Sequence, residues 1–248
     1  MTSDQISPAA PPESHEANPD LFDGLPPAVR GWLPQAGRLM SERAVLRSLG
    51  ESRGLTIAQT RQLVRAGVFG PGYVGTFGRA FERSVVDDLG RQPERTPAEV
   101  FPTALEGYQH ALVLRMHGLT PVRETHRHFI GTHVALIDAT QPEIRRAAND
   151  AIRMHWRISE KRRGLVSRIV NSGGRVPLIV TVAKRVIGGR EIVGIDHPAE
   201  AAAARDDGIV NRTAFAIESP GPWFDTVAGT WLNSGRGPAE IFWDRGTS

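Results

Sequence analysis

Six histidines in the middle of the chain are the side chains best suited to move protons or bind a metal near neutral pH. They are His110, His117, His126, His128, His133 and His155. If residues 120–139 formed a strand, His126 and His128 would share one face, as in metal-dependent nicking sites and other chelating sites. The spacing of apolar residues in this segment favours a helix instead, and on a helix residues two apart diverge by about 200°. The sequence therefore supports two hypotheses for the cluster, a chelating pair on a strand and an acid–base site on a helix. The alternative is that these are ordinary core or surface histidines.

The helical reading places Arg123 five residues before His128. This R-x4-H spacing resembles the one that some helical ribonucleases use for acid–base cleavage of RNA. A nuclease that uses His126 and His128 is therefore one function compatible with the sequence.

A second candidate is a long basic helix from Gln141 to Asn171. Thr140 and Glu143 form a capping pair, Pro142 suits the first turn, and Gly173 follows the end. Apolar positions recur at steps of three and four and predict one buried stripe. These positions are Ile144, Ala148, Ala151, His155, Ile158, Leu165 and Ile169.

The opposite side of this predicted helix is strongly positive. Residues 141–171 hold eight Lys or Arg and three acids, a net charge of +5, whereas the whole chain has a net charge of +3. A basic ridge of this kind is typical of a surface that binds nucleic acid or an acidic protein. The alternative is a solvated face whose arginines pair locally. The predicted contact residues here are Arg146, Arg153, Arg157, Lys161 and Arg168.

Residues 56–89 have the layout of a helix–turn–helix unit. Thr56 and Gln59 open a helix that ends at Gly67, and after a turn a second helix over 73–89 carries Arg79 and Arg83 as candidate DNA contacts. The Ala-Gly-Val turn at residues 66–68 resembles the opening of small winged or MerR-type bacterial regulators. That resemblance implies that the second helix enters the major groove. The turn here is longer and richer in glycine than in those regulators.

Other chemistry is excluded or disfavoured. The chain has no cysteine, so disulfides, zinc–thiolate sites and cysteine nucleophiles are ruled out. The spacing Gly70-x-Gly72-x-x-Gly75 follows a predicted helix rather than the strand that a dinucleotide-binding loop requires. No motif for a cofactor or a metal stands out. No apolar run approaches the roughly 18 residues that span a bilayer, and the N-terminus has no signal pattern. We expect a cytoplasmic or virion location, with no membrane partner.

The first 40 residues are predicted to be an acidic, proline-rich, largely disordered tail. Residues 1–25 contain five acids, four prolines and no Lys or Arg. Such a segment buries too little apolar surface to offset its ordering entropy.

The remaining elements predict an α+β fold that is predominantly α. Residues 41–172 form the predicted helical domain, in which Thr96 and Glu99 start a helix through about His117 and a further helix covers residues 120–139. Residues 173–248 form a predicted small β-rich region packed on the helices. A hairpin there runs from Val176 to Ile195 with its turn at Gly188-Gly189, followed by a short helix from His197 to Arg205.

The function that these patterns favour is a non-enzymatic, regulator-like protein that associates with nucleic acid through its basic helix. The predicted partner is nucleic acid or an acidic protein, and a homo-oligomer is compatible with the sequence. Alternatives are a structural or assembly subunit of a virion or large complex, and the nuclease based on His126 and His128.

Overall fold

The structure of the protein is a computed structural model, and it describes residues 38–75, 78–137, 139–233 and 239–246. The chain divides into two compact units, residues 1–39 and 40–248, and only Arg38 and Leu39 of the first unit are described. The predicted disorder of the tail over residues 1–40 therefore lies almost wholly outside the described residues.

The described elements alternate between short helices and strands. In chain order they are β1 (Leu39–Ser41), α1 (Glu42–Arg53), α2 (Ile57–Arg65), β2 (Tyr73–Gly75), β3 (Gly78–Glu82), α3 (Arg83–Arg91), β4 (Glu94–Arg95), α4 (Pro97–Val100), β5 (His110–Met116), β6 (Thr120–Pro121), β7 (Phe129–Ile130), α5 (Val134–Ile137), α6 (Pro142–Arg153), α7 (Glu160–Asn171), β8 (Val176–Val182), β9 (Arg185–Ile195), α8 (His197–Asp206), β10 (Phe215–Glu218), α9 (Trp223–Val227), β11 (Trp231–Leu232) and β12 (Glu240–Asp244).

A mixed seven-stranded sheet forms the centre of the larger unit. Its order is β12-β5-β8-β9-β11-β4, and β10 pairs with β9 beside this path. The central strands β5 and β8 are parallel, with Leu112 opposite Leu178, whereas β12, β9 and β10 pair antiparallel to their neighbours. Every residue of β8 is buried, which is the pattern of a strand covered on both faces.

The two faces of the sheet have separate cores. Leu112, Leu114 and Val180 pack with α1, α2, α3 and α7 on one side. Val113 and Ile179 pack with α4 and α9 on the other side. The alternation along β5 and β8 follows from the period of two in a strand.

The prediction of a predominantly α fold is wrong. Of the described residues 39% are helical and 28% lie in strands or bridges, and the seven-stranded sheet dominates the architecture. The helix predicted from Thr96 through His117 begins as predicted, with its capping box, but α4 ends at Val100 and the last part of the segment is strand β5. The helix predicted over residues 120–139 is replaced by the hairpin β6–β7 and the single turn α5. Because β5 pairs with β8, the sheet joins residues 110–116 to residues 176–182.

The helix–turn–helix prediction fails in its second half. The first helix is confirmed as α2, with the complete capping box of Thr56 and Gln59. Residues 73–75 and 78–82 form an antiparallel strand pair instead of the start of a recognition helix, and Gly72 (φ 66°) and Gly78 (φ 113°) take left-handed conformations that favour glycine. Arg79 therefore lies on β3 and Arg83 at the first position of α3.

The predicted long basic helix is interrupted. Helix α6 ends at Arg153, α7 begins at Glu160, and residues 154–159 between them are not helical. His155 and Ile158 of the predicted stripe lie in this linker. Ser159 caps α7 through a hydrogen bond from the backbone N–H of Arg162 (3.4 Å). The unbroken basic ridge is therefore absent.

The C-terminal predictions hold better. The hairpin of residues 176–195 is confirmed, and so is the helix beginning at His197. The turn lies at Ala183-Lys184, both with positive φ, rather than at Gly188-Gly189. A Cβ on Gly188 would lie 2.7 Å from Ile137, so this glycine marks a close approach within a strand and not a turn.

Candidate acid–base site at His155

His155 lies in the linker between α6 and α7 and has an unusual backbone. Its φ is 69°, a left-handed conformation that side chains with a Cβ rarely adopt, yet its side chain is only 4% exposed. The next residue, Trp156, forms an isolated bridge with Thr213 through two backbone hydrogen bonds of 3.0 and 2.8 Å. The Trp156 indole N–H donates to the Ile152 carbonyl on α6 (2.6 Å). Contacts on both sides therefore hold His155 in a strained conformation, a feature that clusters at functional sites.

An ion pair of Glu124 and Arg127 faces His155. Arg127 donates from Nε and Nη2 to the two carboxylate oxygens of Glu124 (2.9 and 2.7 Å), and from Nη1 to the Met154 carbonyl at the end of α6 (3.0 Å). The side chain of Arg127 is 12% exposed and that of Glu124 is 19% exposed. This bidentate geometry fixes the positions of both groups.

The imidazole of His155 has no hydrogen-bond partner at Nε2 among the described residues, although this atom is buried. The nearest carboxylate oxygen, Glu124 Oε2, is 3.6 Å away, which is longer than a hydrogen bond. Burial lowers the pKa of His155 below its ordinary value, and the positive charge of Arg127 lowers it further. The imidazole is therefore neutral at neutral pH and has a free nitrogen.

Asp207 adds a second unsatisfied group. Its Oδ1 accepts a hydrogen bond from the Thr125 backbone N–H (2.8 Å), while its Oδ2 is buried without a partner in the described part of the chain. The hydrogen bond from Thr125 lowers the pKa of this carboxyl, so it is charged, and its charge acts on His155 in the direction that raises the histidine pKa.

His155 lines two cavities. The larger, of about 590 Å³, is an open cleft, and the smaller holds about 180 Å³. His155, Arg127 and Trp156 line both. The larger cleft has three arginines against two glutamates and an apolar wall that includes Val210, a side chain 62% exposed. The charged residues of this cleft are Glu124, Arg127, Arg157, Arg212 and Glu240.

The histidines singled out in the sequence do not form this centre. His126 lies on the β6–β7 loop with its Nε2 2.7 Å from Asp206 Oδ2, and His128 is exposed. His155, which the periodicity assigned to a helix stripe, is the buried histidine with the free nitrogen.

The predicted basic contact residues are spread over five segments. Arg79 and Arg83 are exposed on β3 and α3, and Lys161 and Arg168 are exposed on α7. Arg146 and Arg153 line a different cleft beside α6 and β10, of about 510 Å³. Only Arg157 lies at the His155 cleft.

Arg153 is turned toward carboxylates. Its Nε donates to Asp150 (2.8 Å) and its Nη1 to Asp196 (2.5 Å), and its side chain is 20% exposed. Its charge is therefore already compensated within the chain.

Sequence reasoning missed Glu124, Arg127 and Asp207 as site residues. They are distant along the chain from His155 and no short motif joins them. One signal was available, since Ser159 followed by Glu160 is a helix start and therefore argues for a break before it.

No group of three or more His, Asp or Glu side chains is arranged to hold a metal ion within residues 38–75, 78–137, 139–233 and 239–246. Over the same ranges no helix has the length and apolar character to cross a membrane. Comparison of the chain with family models, curated proteins and solved structures finds no match.

Proposed function

We propose that the cleft at His155 binds an anionic ligand and that His155 accepts a proton from this ligand or from water bound beside it. The observation that carries the proposal is the buried, unpartnered Nε2 on a residue with a strained backbone. Buried polar groups in folded proteins are nearly always hydrogen-bonded, so an exception on a residue that lines a cleft indicates a missing partner.

The proton transfer follows from the charges around the imidazole. A neutral histidine takes up the proton at Nε2, and the Glu124 carboxylate, 3.6 Å away, stabilises the imidazolium that forms. Arg127 holds that carboxylate in place. General-base help of this kind contributes roughly 10²–10⁴ in rate.

The lining of the cleft supports an anion that carries an apolar or planar part. Arg157 and Arg212 supply positive charge beside Arg127, and guanidinium groups suit phosphate and carboxylate oxygens. Trp156, Ile209 and Val210 supply the apolar contact.

The test is an NMR titration of histidine-labelled protein with adenosine 5′-monophosphate and inorganic phosphate as probes. We expect the His155 ring signals to shift on addition of a probe and the affinity to fall about tenfold or more in Arg212→Met, because a charge-assisted hydrogen bond is lost. His128→Asn, an exposed histidine on the neighbouring loop, is the matched control. Unchanged His155 signals at millimolar concentrations of both probes would contradict the proposal.

A second candidate function is association with nucleic acid through exposed cations. Arg146, Arg157, Lys161 and Arg168 are exposed and form no ion pair within the described residues. Because the helix is interrupted, the single basic ridge predicted from the sequence is absent. The predicted helix–turn–helix unit does not support this function either, since its second helix is not formed. What supports it now is the number of unpaired cations on α6, the linker and α7, with Arg157 shared between this surface and the cleft.

A salt titration with single-stranded RNA and with duplex DNA separates the two functions. Arg157→Gln, Lys161→Gln and Arg168→Gln should each reduce the salt slope by about 0.7 on a single strand if they contact phosphates. Loss of binding in these variants but not in His155→Asn supports association alone. Cleavage of RNA that disappears in His155→Asn supports the acid–base site on a phosphodiester. If the protein binds neither RNA nor DNA, the prediction of a structural or assembly subunit is favoured. Sedimentation of the protein with and without a cell extract would then test whether it enters a larger complex.

A further inference from the structure

Two arginines lie against one buried indole on the far end of the sheet. Trp231 of β11 is 1% exposed, and its N–H donates to the Leu89 carbonyl (3.0 Å). The guanidinium carbon of Arg53 is 5.2 Å from the centre of this ring and that of Arg185 is 5.5 Å away. Both distances fall within the range of cation–π interaction.

Neither guanidinium has a carboxylate partner within hydrogen-bond distance in the described part of the chain. Arg185 is 8% exposed and donates from Nη1 to the amide oxygen of Gln92. Arg53, at the end of α1, has a buried Nε without a hydrogen-bond partner. Glu94, the acid whose charge acts on Arg53, is 2.8 Å from the Lys184 ammonium.

The charges in this cluster do not balance. Arg53, Arg185 and Lys184 with Glu94 carry a net charge of +2. Burial lowers the pKa of Arg185 to about 10, and the charge of Arg53 contributes to that shift. At the His155 site, by comparison, the charge of Arg127 is compensated by Glu124. The cluster at Trp231 has no such compensation for its two arginines.

We propose that the Arg53–Arg185 pair beside Trp231 binds an oxyanion, specifically a phosphate group. An anion that accepts from both guanidinium groups forms charge-assisted hydrogen bonds with them and offsets the positive charge that each exerts on the other. It also provides an acceptor for the unpaired Nε of Arg53. This site is independent of the cleft at His155.

The test measures binding of inorganic phosphate by calorimetry and thermal stabilisation, against chloride at equal ionic strength. We expect phosphate to raise the Tm of the wild-type protein, and Arg185→Met to weaken phosphate binding about tenfold or more. Arg53→Met should have the same effect and serves as the deciding variant if Arg185→Met does not fold. Arg47→Met, an exposed arginine on the same helix α1, is the matched control and should bind as the wild type does.

Two further arms assign the anion. Adenosine 5′-monophosphate that binds more tightly than phosphate, with the same dependence on Arg185, identifies a phosphate carried on a larger ligand, whereas equal binding identifies free phosphate. His155→Asn should keep the response, which separates this site from the cleft. A phosphate response that is unchanged in both Arg53→Met and Arg185→Met would overturn the proposal.

Discussion

Glu191 and His155 are both buried ionisable residues, but the chain satisfies only one of them. The Glu191 side chain is 5% exposed and accepts hydrogen bonds from Tyr108 (2.5 Å), Arg175 (2.8 Å) and Trp223 (3.2 Å). The His155 side chain is 4% exposed, and its Nε2 has no partner among the described residues. The two side chains are thus about equally buried, but Glu191 is fully hydrogen-bonded whereas the Nε2 of His155 is not.

The electrostatic outcomes differ accordingly. Burial alone would raise the pKa of Glu191, but the hydrogen bonds from Tyr108, Arg175 and Trp223 together lower it. The same centre raises the pKa of Tyr108 to about 12, by burial first and then by the hydrogen bond to Glu191. At His155 burial lowers the pKa and the nearby acids do not reverse the shift. A fully bonded centre of this kind serves stability, whereas an unsatisfied and strained one is where function is expected.

Glu191→Gln should give the largest effect on this comparison. The amide keeps the shape, but it loses the charge that pairs with Arg175 and points an N–H group at one of the existing donors. We expect the free energy of unfolding to fall by about 3–5 kcal/mol, the sum of a lost charge-assisted hydrogen bond and a buried donor left without an acceptor, as measured by urea denaturation. Glu218→Gln removes the 53% exposed partner of the same arginine and should cost less than about 1 kcal/mol. Equal losses in the two variants would mean that the Glu191 centre is not a stability element.

Arg127→Met should have the second largest effect on stability, because it removes hydrogen bonds from groups beside His155. The variant leaves the Glu124 carboxylate and the Met154 carbonyl without their donor, and we expect a loss of about 2–3 kcal/mol. It should also raise the pKa of His155, since one of the charges that lowers it is removed. Urea denaturation and an NMR titration of the His155 ring measure the two effects. Arg123→Met, at an exposed position of the same loop, should change neither quantity.

His155→Gly should change stability by less than about 1 kcal/mol in either direction. Glycine adopts a φ of 69° freely, so relief of roughly 1–2 kcal/mol of left-handed strain offsets the packing of the lost imidazole. Ligand binding in the cleft should nevertheless be lost, which calorimetry with the probes named above would measure. His155→Asn, which also tolerates this conformation, is the companion variant. A loss above 3 kcal/mol in both variants would assign His155 a structural role like that of Glu191.

Local signals predicted the parts of this fold that local interactions decide. The capping box at Thr56 and the helix after Asp196 need only neighbouring residues, and both are present. The prediction of a helix for the segment from His110 to Met116 is wrong, because a short apolar run suits a buried strand as well as a helix. Its state is decided by pairing with β8, more than sixty residues away.

The same limit explains the site. The apolar period of a helix continues through residues 154–159, and the local signal against a long helix is the helix start at Ser159. The break is stabilised by Thr213 pairing with Trp156, and the charged groups that act on His155 come mainly from the β6–β7 loop and the end of α8. Charge counts along the chain found the basic residues, but they could not show that Arg153 is compensated by Asp196.

The smallest predicted effect separates the two centres by pH. Because the folded pKa of His155 lies below its ordinary value of 6.5, the folded protein binds fewer protons than the unfolded chain in this range. Stability from this residue is therefore complete above pH 6.5 and is lost as the pH falls through the folded pKa. Glu191, with a pKa below its ordinary 4.5, keeps its contribution throughout that window and loses it only in stronger acid.

Urea denaturation of the wild type between pH 7.5 and pH 5 should therefore show a decline that is smaller in His155→Asn. The remaining decline should shrink again when His133, whose pKa burial also lowers, is replaced by Asn. Glu191→Gln should be offset by a constant amount across this range, because its carboxylate does not titrate there. If His155→Asn loses stability as steeply as the wild type, the imidazole is not the uncompensated group, and the contrast between a satisfied and an unsatisfied centre no longer holds.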